Sequence, residues 1–411
     1  MKRCLVCGGK KITTILDLGK TALANKFLTK DEIKRKKENF YSLKLCVCND
    51  CFHVQLDNLV DPKLMFDDYL YVSSASTTLV NHLKSLAKEI TRITNLDKSD
   101  LVVDIGSNDG CLLRQFLKIE NKLSLVGVEP AKNLTSLIPE KEINCLNNYL
   151  DLNVSNKIIE KFGKAKVITS TNNFPHIHNL DCFMESVENM MHDNGVFVIE
   201  AHYLLDLLQQ FAFDTIYHEH VSYWALTPMQ ILFEKYNMCI FNVERLPIHH
   251  GQIRVWIKKK INKTYKVSNS LNKLIELEEK FGLNDIRTYK DFSERIISNK
   301  NEFIEKLNEL ILNKKKVVGY GAPAKGNTLL TFFNITKDII PYICDKNKLK
   351  QNRFSPGQHI PIVSEDLILK DKPDYVLILA WNFTEEIIRQ LSQYKNLGGK
   401  FIIPIPSFKI I

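Results

Sequence analysis

The stretch Leu101-Val102-Val103-Asp104-Ile105-Gly106-Ser107-Asn108-Asp109-Gly110-Cys111-Leu112-Leu113 decides the fold. An apolar strand runs into a tight Gly turn, and the turn opens straight into a helical pattern that continues through Leu117. Strand, Gly turn and helix in that order form the ligand-binding end of a doubly wound α/β domain. The turn departs from the dinucleotide fingerprint, because the G-x-G-x-x-G spacing that lets backbone approach a pyrophosphate is missing. Two carboxylates, Asp104 and Asp109, crowd it instead. They would repel a pyrophosphate and oppose the anion-attracting helix N-terminus. They suit a cationic cofactor without phosphate, S-adenosylmethionine, with Asp104, Gly106, Ser107, Asn108 and Gly110 as its contacts.

The next apolar run, 123–128, ends in Glu129, about 20 residues past the turn, where a carboxylate grips ribose hydroxyls. Strands are expected again near 166–170 and 195–200, with helical patterns between. Asn172-Asn173-Phe174-Pro175-His176 follows the first of these at the carboxyl end, which borders the ligand crevice. Asn172 is therefore assigned to the cofactor, and Asn173 and His176 to its reaction partner.

A chain of 411 residues exceeds one comfortable core, so several domains are expected. No run approaches the roughly 18 apolar residues of a membrane span. The start Met1-Lys2-Arg3-Cys4 has no signal-peptide core, so the expected setting is cytoplasmic, without membrane contact. The net charge of +9 raises the possibility of nucleic acid, but residues 258–316 hold 15 Lys/Arg against 9 Asp/Glu and so carry +6 of it. Interleaved signs of that kind mark an exposed helix face, and no nucleic-acid partner is expected.

Five of the ten cysteines fall within the first 51 residues. Under reducing conditions such clustering argues for metal rather than disulfides. Cys4-x2-Cys7 and Cys48-x2-Cys51 supply two knuckles and four thiolates, the set of a closed, structural zinc site, with Cys46 a spare. The expected organisation is a zinc module over 1–68, the cofactor domain over 69–260, a helical spacer over 261–315 and a second Rossmann-like α/β unit over 316–411.

That last unit opens with Gly319-x-Gly321-x-x-x-Lys325-Gly326, a phosphate-cradling turn with a lysine. Asp345 ends its next strand where a ribose would bind, and Lys350, Arg353 and His359 follow. Gly321, Lys325, Asp345, Lys350, Arg353 and His359 are therefore candidate nucleotide contacts.

The densest chemistry lies in Phe213-Asp214-Thr215-Ile216-Tyr217-His218-Glu219-His220-Val221-Ser222-Tyr223. Imidazole titrates near neutrality, and a carboxylate partner can orient it and raise its basicity. His218-x-His220 with Glu219 has an alternative reading as metal ligands, for which no third ligand stands nearby. A further patch, His249-His250-Gly251-Gln252-Ile253-Arg254, joins two strands, and its Arg254 suits a phosphate or carboxylate. Tyr223, His249 and Arg254 complete the candidate substrate contacts.

Taken together, these motifs resemble the sugar C-methyltransferases that act on nucleotide-linked keto sugars. The match comprises the two Cys-x2-Cys knuckles, the second followed by x-x-Val-Gln-Leu, then Asp-Ile-Gly-Ser-Asn-Asp-Gly, Gly-Val-Glu-Pro-Ala (127–131) and Asn-Asn-x-x-His. It continues through Phe-Asp-x-Ile-Tyr-His-Glu-His-x-Ser-Tyr, Gly-Tyr-Gly-Ala-x-Ala-Lys-Gly and Pro-Gly-x-His-Ile-Pro-Ile, in order along almost the whole chain. The resemblance implies methylation of a ring carbon beside a 4-keto group. It implies that the zinc module and middle domain build the cleft and that the C-terminal domain holds the nucleotide. It places the base at His220, assisted by Glu219 and Tyr217, with His176 and Tyr71 near the sugar. Chemistry asks for the same groups: a carbon beside a ketone is acidic only because the enolate places charge on oxygen, so a base and an oxygen donor are both required. Tyr217, His176 and Asn172 are the candidate donors, and closure of residues 69–76 would exclude water.

The chain departs from the family pattern at Cys111, where Thr is usual, at His250 and Gln252, which replace Gly and Ser, and at Asn179, which replaces an acid. Rival readings are an O- or N-methyltransferase using the same cleft and a catalytically silent sugar-nucleotide binder. An NAD-dependent oxidoreductase is disfavoured by the acidic turn.

Overall fold

The computed structural model describes residues 3–35, 38–67, 69–138, 141–248 and 251–411. The stretch 101–113 forms the expected unit: strand Leu101–Ile105, turn, and helix Cys111–Ile119. The strand alternates between two buried faces, as period-2 side chains must. Val102 packs with Leu83, Ile90 and Phe116 on one face, whereas Val103 packs with Ile158, Met184 and Val187 on the other. Helices on both faces define a doubly wound sheet.

That sheet has seven strands in the order Met238–Leu246, Gln252–Lys259, Met191–His202, Ala165–Thr171, Leu101–Ile105, Ser124–Val128, Asn144–Leu146. The last five run parallel to one another, and Gln252–Lys259 is antiparallel to both of its neighbours. Strand order reverses beside Leu101–Ile105, which opens the crevice at its carboxyl end. This is a mixed α/β chain with a Rossmann-like, doubly wound central sheet. The C-terminal unit carries its own sheet, in the order Ile362–Val363, Ile343–Cys344, Val317–Tyr320, Tyr375–Ile378, Lys400–Ile403, Lys409–Ile410.

The N-terminal sheet draws one strand from elsewhere in the chain. Strands Ile12–Thr21, Tyr41–Cys48 and Val54–Leu56 are completed by Ser222–Tyr223 from the middle of the chain, with Val54 opposite Tyr223. The zinc module is thus built onto the cofactor domain. It also clasps the C-terminal unit: Leu28 and Phe354 exchange backbone hydrogen bonds, and Asn327 donates to the Ala24 carbonyl at 2.7 Å.

The helices Asn269–Phe281 and Ile286–Leu312 are more than an exposed spacer. Tyr289, Phe292, Ile296, Phe303 and Leu307 recur at helical spacing and are buried. Each such side chain contributes about 1.5–3 kcal/mol. In Ile286–Leu312 the charged residues lie off this buried stripe. Within the first helix Glu278 is buried and accepts from the Tyr203 hydroxyl and the Leu226 amide, both at 2.8 Å.

Candidate active site

The carboxyl ends of the central strands open into a cleft of about 1040 Å³, bounded by all three modules. Its volume is at the upper end for small-molecule sites, with room for a cofactor and a second ligand. At its floor, Gly106 has φ +72°, and a Cβ there would meet the Asn173 side chain at 2.5 Å. Only glycine lets the turn pass this close. The Asn108 amide donates to Glu129 Oε2 at 2.8 Å, and the Ala131 amide to Oε1 at 2.9 Å. Glu129 is thereby fixed beside the turn with lone pairs to spare for hydroxyl donors. Burial raises its pKa, and these two amides work the other way. Asp104 accepts from Thr169 Oγ1 at 2.7 Å, and burial pushes its carboxyl up to about 7.

Residues 69–76 lie across this turn. Asn108 Oδ1 accepts from the Ser73 amide at 2.9 Å and its amide nitrogen donates to the Tyr71 carbonyl at 3.0 Å. Asn133 ties the Tyr69 backbone in the same two-way manner.

Further into the cleft, His220 Nδ1 lies 2.8 Å from the Thr215 carbonyl, and Nε2 lies 3.1 Å from the Tyr217 hydroxyl. A carbonyl only accepts, so Nδ1 carries the proton and Nε2 keeps its lone pair. Burial drives the His220 pKa well below its ordinary value, and the neighbouring His176 and Lys325 add to this, so the imidazole is neutral. His176 packs 5.1 Å from the His220 ring and donates from Nδ1 to the Glu219 carbonyl at 2.6 Å. Glu219 accepts from Asn25 at 2.8 Å and from the Tyr69 hydroxyl at 3.1 Å, and burial pushes its carboxyl up to about 7.

Of the residues expected from the sequence, Tyr71, Asp104, Gly106, Ser107, Asn108, Glu129, Asn172, Asn173, His176, Tyr217, His220, Lys325, Asp345 and Lys350 line the cleft. Gly110 caps the following helix with φ +75° and shapes the turn from behind. Glu219 sits just behind the lining. Asp109, the second acid of the turn, lies outside the lining and pairs with Arg114, 2.8 Å away.

Several assignments to the substrate need correction. Arg254 is buried in the sheet against Glu200 at 2.7 Å, Glu244 at 3.1 Å and Glu89, so three carboxylates already claim its charge. Tyr223 is buried at the junction with the zinc module. His359 pairs with Glu38 at 2.7 Å, and the Gly357 amide grips the other Glu38 oxygen. Arg353 reaches the Phe27 carbonyl, 3.4 Å away. The segment around Pro356 is therefore an interdomain clasp. Gly321 (φ +82°) turns the chain outside the lining. Asp345 lines the cleft, and its oxygens accept from the Ala322 and Asn347 amides as those of Glu129 do from Asn108 and Ala131. His249 and His250 lie outside the described residues.

His202 was not anticipated. It ends strand Met191–His202, lines the cleft and lies 4.9 Å from the His220 ring. Its position at a strand's carboxyl end was the available signal. Gln252 bonds the Asn172 side chain, so that departure from the family pattern touches the site indirectly.

The four knuckle cysteines also converge. Their sulfurs lie within 4.8 Å of one another, with Cys4–Cys51 at 3.5 Å and Cys7–Cys48 at 3.6 Å. Thiolates about 2.3 Å from a tetrahedral zinc lie about 3.8 Å apart, so the set fits the ion with little movement. Cys46 stands apart, against Thr14.

Three family models match the chain in order: a zinc binding domain over residues 4–66, a methyltransferase domain over 80–241 and a C-methyltransferase C-terminal domain over 247–406. Among solved structures, a S-adenosylmethionine-dependent methyltransferase from Clostridium acetobutylicum covers 44% of this chain and 92% of its own at 15% identity, with a TM-score of 0.35. The plantazolicin methyltransferase BpumL, in complex with SAH, covers 46% of this chain and 88% of its own at 13% identity, TM-score 0.35. The C-methyltransferase NovU of Streptomyces niveus is 31% identical over 99% of this chain and 96% of its own length. The chain belongs to the S-adenosylmethionine-dependent, zinc-binding C-methyltransferase family that includes NovU.

Proposed function

We propose that this C-methyltransferase methylates a ring carbon adjacent to the ketone of a nucleotide-linked 4-keto-deoxy sugar, with His220 as the base. The observation that carries this reading is the tautomer of His220: neutral, Nδ1–H tied to Thr215, and the Nε2 lone pair held only by the Tyr217 hydroxyl at the wall of the cleft. A base of this form removes a proton from carbon without first losing one of its own.

The Tyr217 hydroxyl rests against Nε2 and is a rotor. When a ketone enters, the hydroxyl turns its proton to the ketone oxygen and uncovers Nε2, serving the enolate as donor. His176 spends its Nδ1 proton on the Glu219 carbonyl, so as a neutral ring it orients the loop rather than feeding the oxygen. S-adenosylmethionine, when bound, supplies the electrophilic methyl group. Asp104, Asn108 and Glu129 are placed to hold it, and residues 69–76 cover it. Lys325 and Lys350, from the C-terminal unit, face the same cleft and suit the diphosphate of a nucleotide sugar.

Incubation with S-adenosylmethionine and a panel of keto-sugar nucleotides in deuterated water, read by mass spectrometry, tests this. Deuterium should appear at the carbon beside the ketone before or with methylation. Methyl transfer to a sugar oxygen or nitrogen without that exchange would overturn the proposal.

A further inference from the structure

The segment 213–223 that carries the base is held from two sides. At its far end, Tyr223 pairs with Val54, and Asn25 holds Glu219. At its near end stands Asp214, on the short turn Phe213–Thr215 and fully buried. Its Oδ2 accepts from the Trp381 indole at 2.6 Å, which ties it to the C-terminal unit. Trp381 opens the turn Trp381–Phe383, whose Asn382 and Phe383 line the cleft. The other oxygen, Oδ1, is buried without a hydrogen-bond partner among the described residues.

Burial raises the Asp214 pKa and the Lys325 ammonium opposes that rise, while burial lowers the Lys325 pKa and Asp214 opposes that fall. The same Lys325 charge reaches His220. A buried carboxylate is a costly way to fill space. Its chain neighbour Thr215 offers the carbonyl that fixes the His220 proton on Nδ1.

We propose that Asp214 is a positioning residue for the base, which through its bond to Trp381 anchors the Thr215 carbonyl, and so the His220 tautomer, to the C-terminal unit. If that carbonyl drifts, the Nε2–H form gains population and the lone pair that faces the cleft is lost. The imidazole is then competent only while the C-terminal unit is docked. This rests on the reading of His220 as the base.

Imidazole nitrogen NMR of the full-length, zinc-loaded chain with S-adenosylhomocysteine bound tests it, the His220 signals being identified by their loss in His220→Gln. The wild-type ring should be the Nδ1–H form. Trp381→Phe and Asp214→Ala should mix in the other form and speed exchange of the Nδ1 proton about tenfold, the scale of one lost hydrogen bond. Asp214→Asn, which keeps an oxygen acceptor for the indole, should restore the wild-type signals. Unchanged His220 signals in Trp381→Phe overturn the proposal even if Asp214→Ala fails to fold. No sugar is needed, so a wrong substrate assignment would show in the turnover panel and leave this result intact.

Discussion

The carbonyl of Thr215 lies 2.8 Å from Nδ1 of His220, and this contact leaves Nε2 as the basic atom of the cleft. His220→Gln keeps a side chain of similar reach but removes the base. Methyl transfer should fall about 10²–10⁴-fold, the usual worth of a positioned general base. Calorimetric affinity for S-adenosylmethionine should stay within about twofold, well under the 1.4 kcal/mol that a tenfold change represents. A larger loss of affinity would place His220 in cofactor binding instead.

Glu129 offers the opposite split. Its carboxylate is pinned by the Asn108 and Ala131 amides, and its remaining lone pairs suit ribose hydroxyls. Glu129→Ala should weaken S-adenosylmethionine about 10–100-fold, as expected for lost hydrogen bonds to a charged acceptor. At saturating cofactor the turnover rate should recover most of its wild-type value.

Glu278 gives a stability prediction far from the chemistry. Burial pushes its carboxyl from 4.5 up to about 7, so between those values the folded chain holds a proton that the unfolded chain releases. The contribution is fully present below about 4.5 and is lost as pH rises through about 7. Glu278→Gln should therefore raise the melting temperature at pH 8 and change little at pH 5. A gain of 1 kcal/mol corresponds to roughly 2–4 °C in a domain of this size. Equal shifts at both pH values would exclude the titration as the cause.

The zinc module should be inseparable from the active site. Metal analysis should find one zinc per chain, retained by Cys46→Ser and lost in Cys48→Ser. Chelation should lower the melting temperature and activity together, because the sheet that the knuckles anchor also pairs with Ser222–Tyr223, which begins two residues past His220. Activity that survives complete zinc removal would contradict this coupling.

What the sequence made legible was local. The strand–turn–helix at 101–119, the knuckle spacing and the cluster around His220 each lie within a short window, where period and spacing report structure directly. Residues that act across the chain left no such mark. Asn25 meets Glu219 and Trp381 meets Asp214 only because three modules close on one another, and Tyr69 reaches Glu219 from 150 residues away. Arg254 and His359 were misplaced for a related reason. A charge in a sequence does not reveal that Glu89, Glu200 and Glu244 surround the first, or that Glu38 awaits the second. The helices over 269–312 read as solvated because interleaved charge hides a narrow apolar stripe, which burial of Tyr289, Phe292 and Phe303 exposes.

The strand partnership of Val54 with Tyr223 also bears on biogenesis. The first sheet leaves the ribosome with one edge unpaired, and its last strand arrives only after most of the methyltransferase core has been synthesised. Until then that edge is a template for pairing with other nascent chains. Slow translation downstream of the cysteine knuckles would lengthen this interval, and yield in expression should respond to temperature and zinc supply more than to the stability of the finished enzyme.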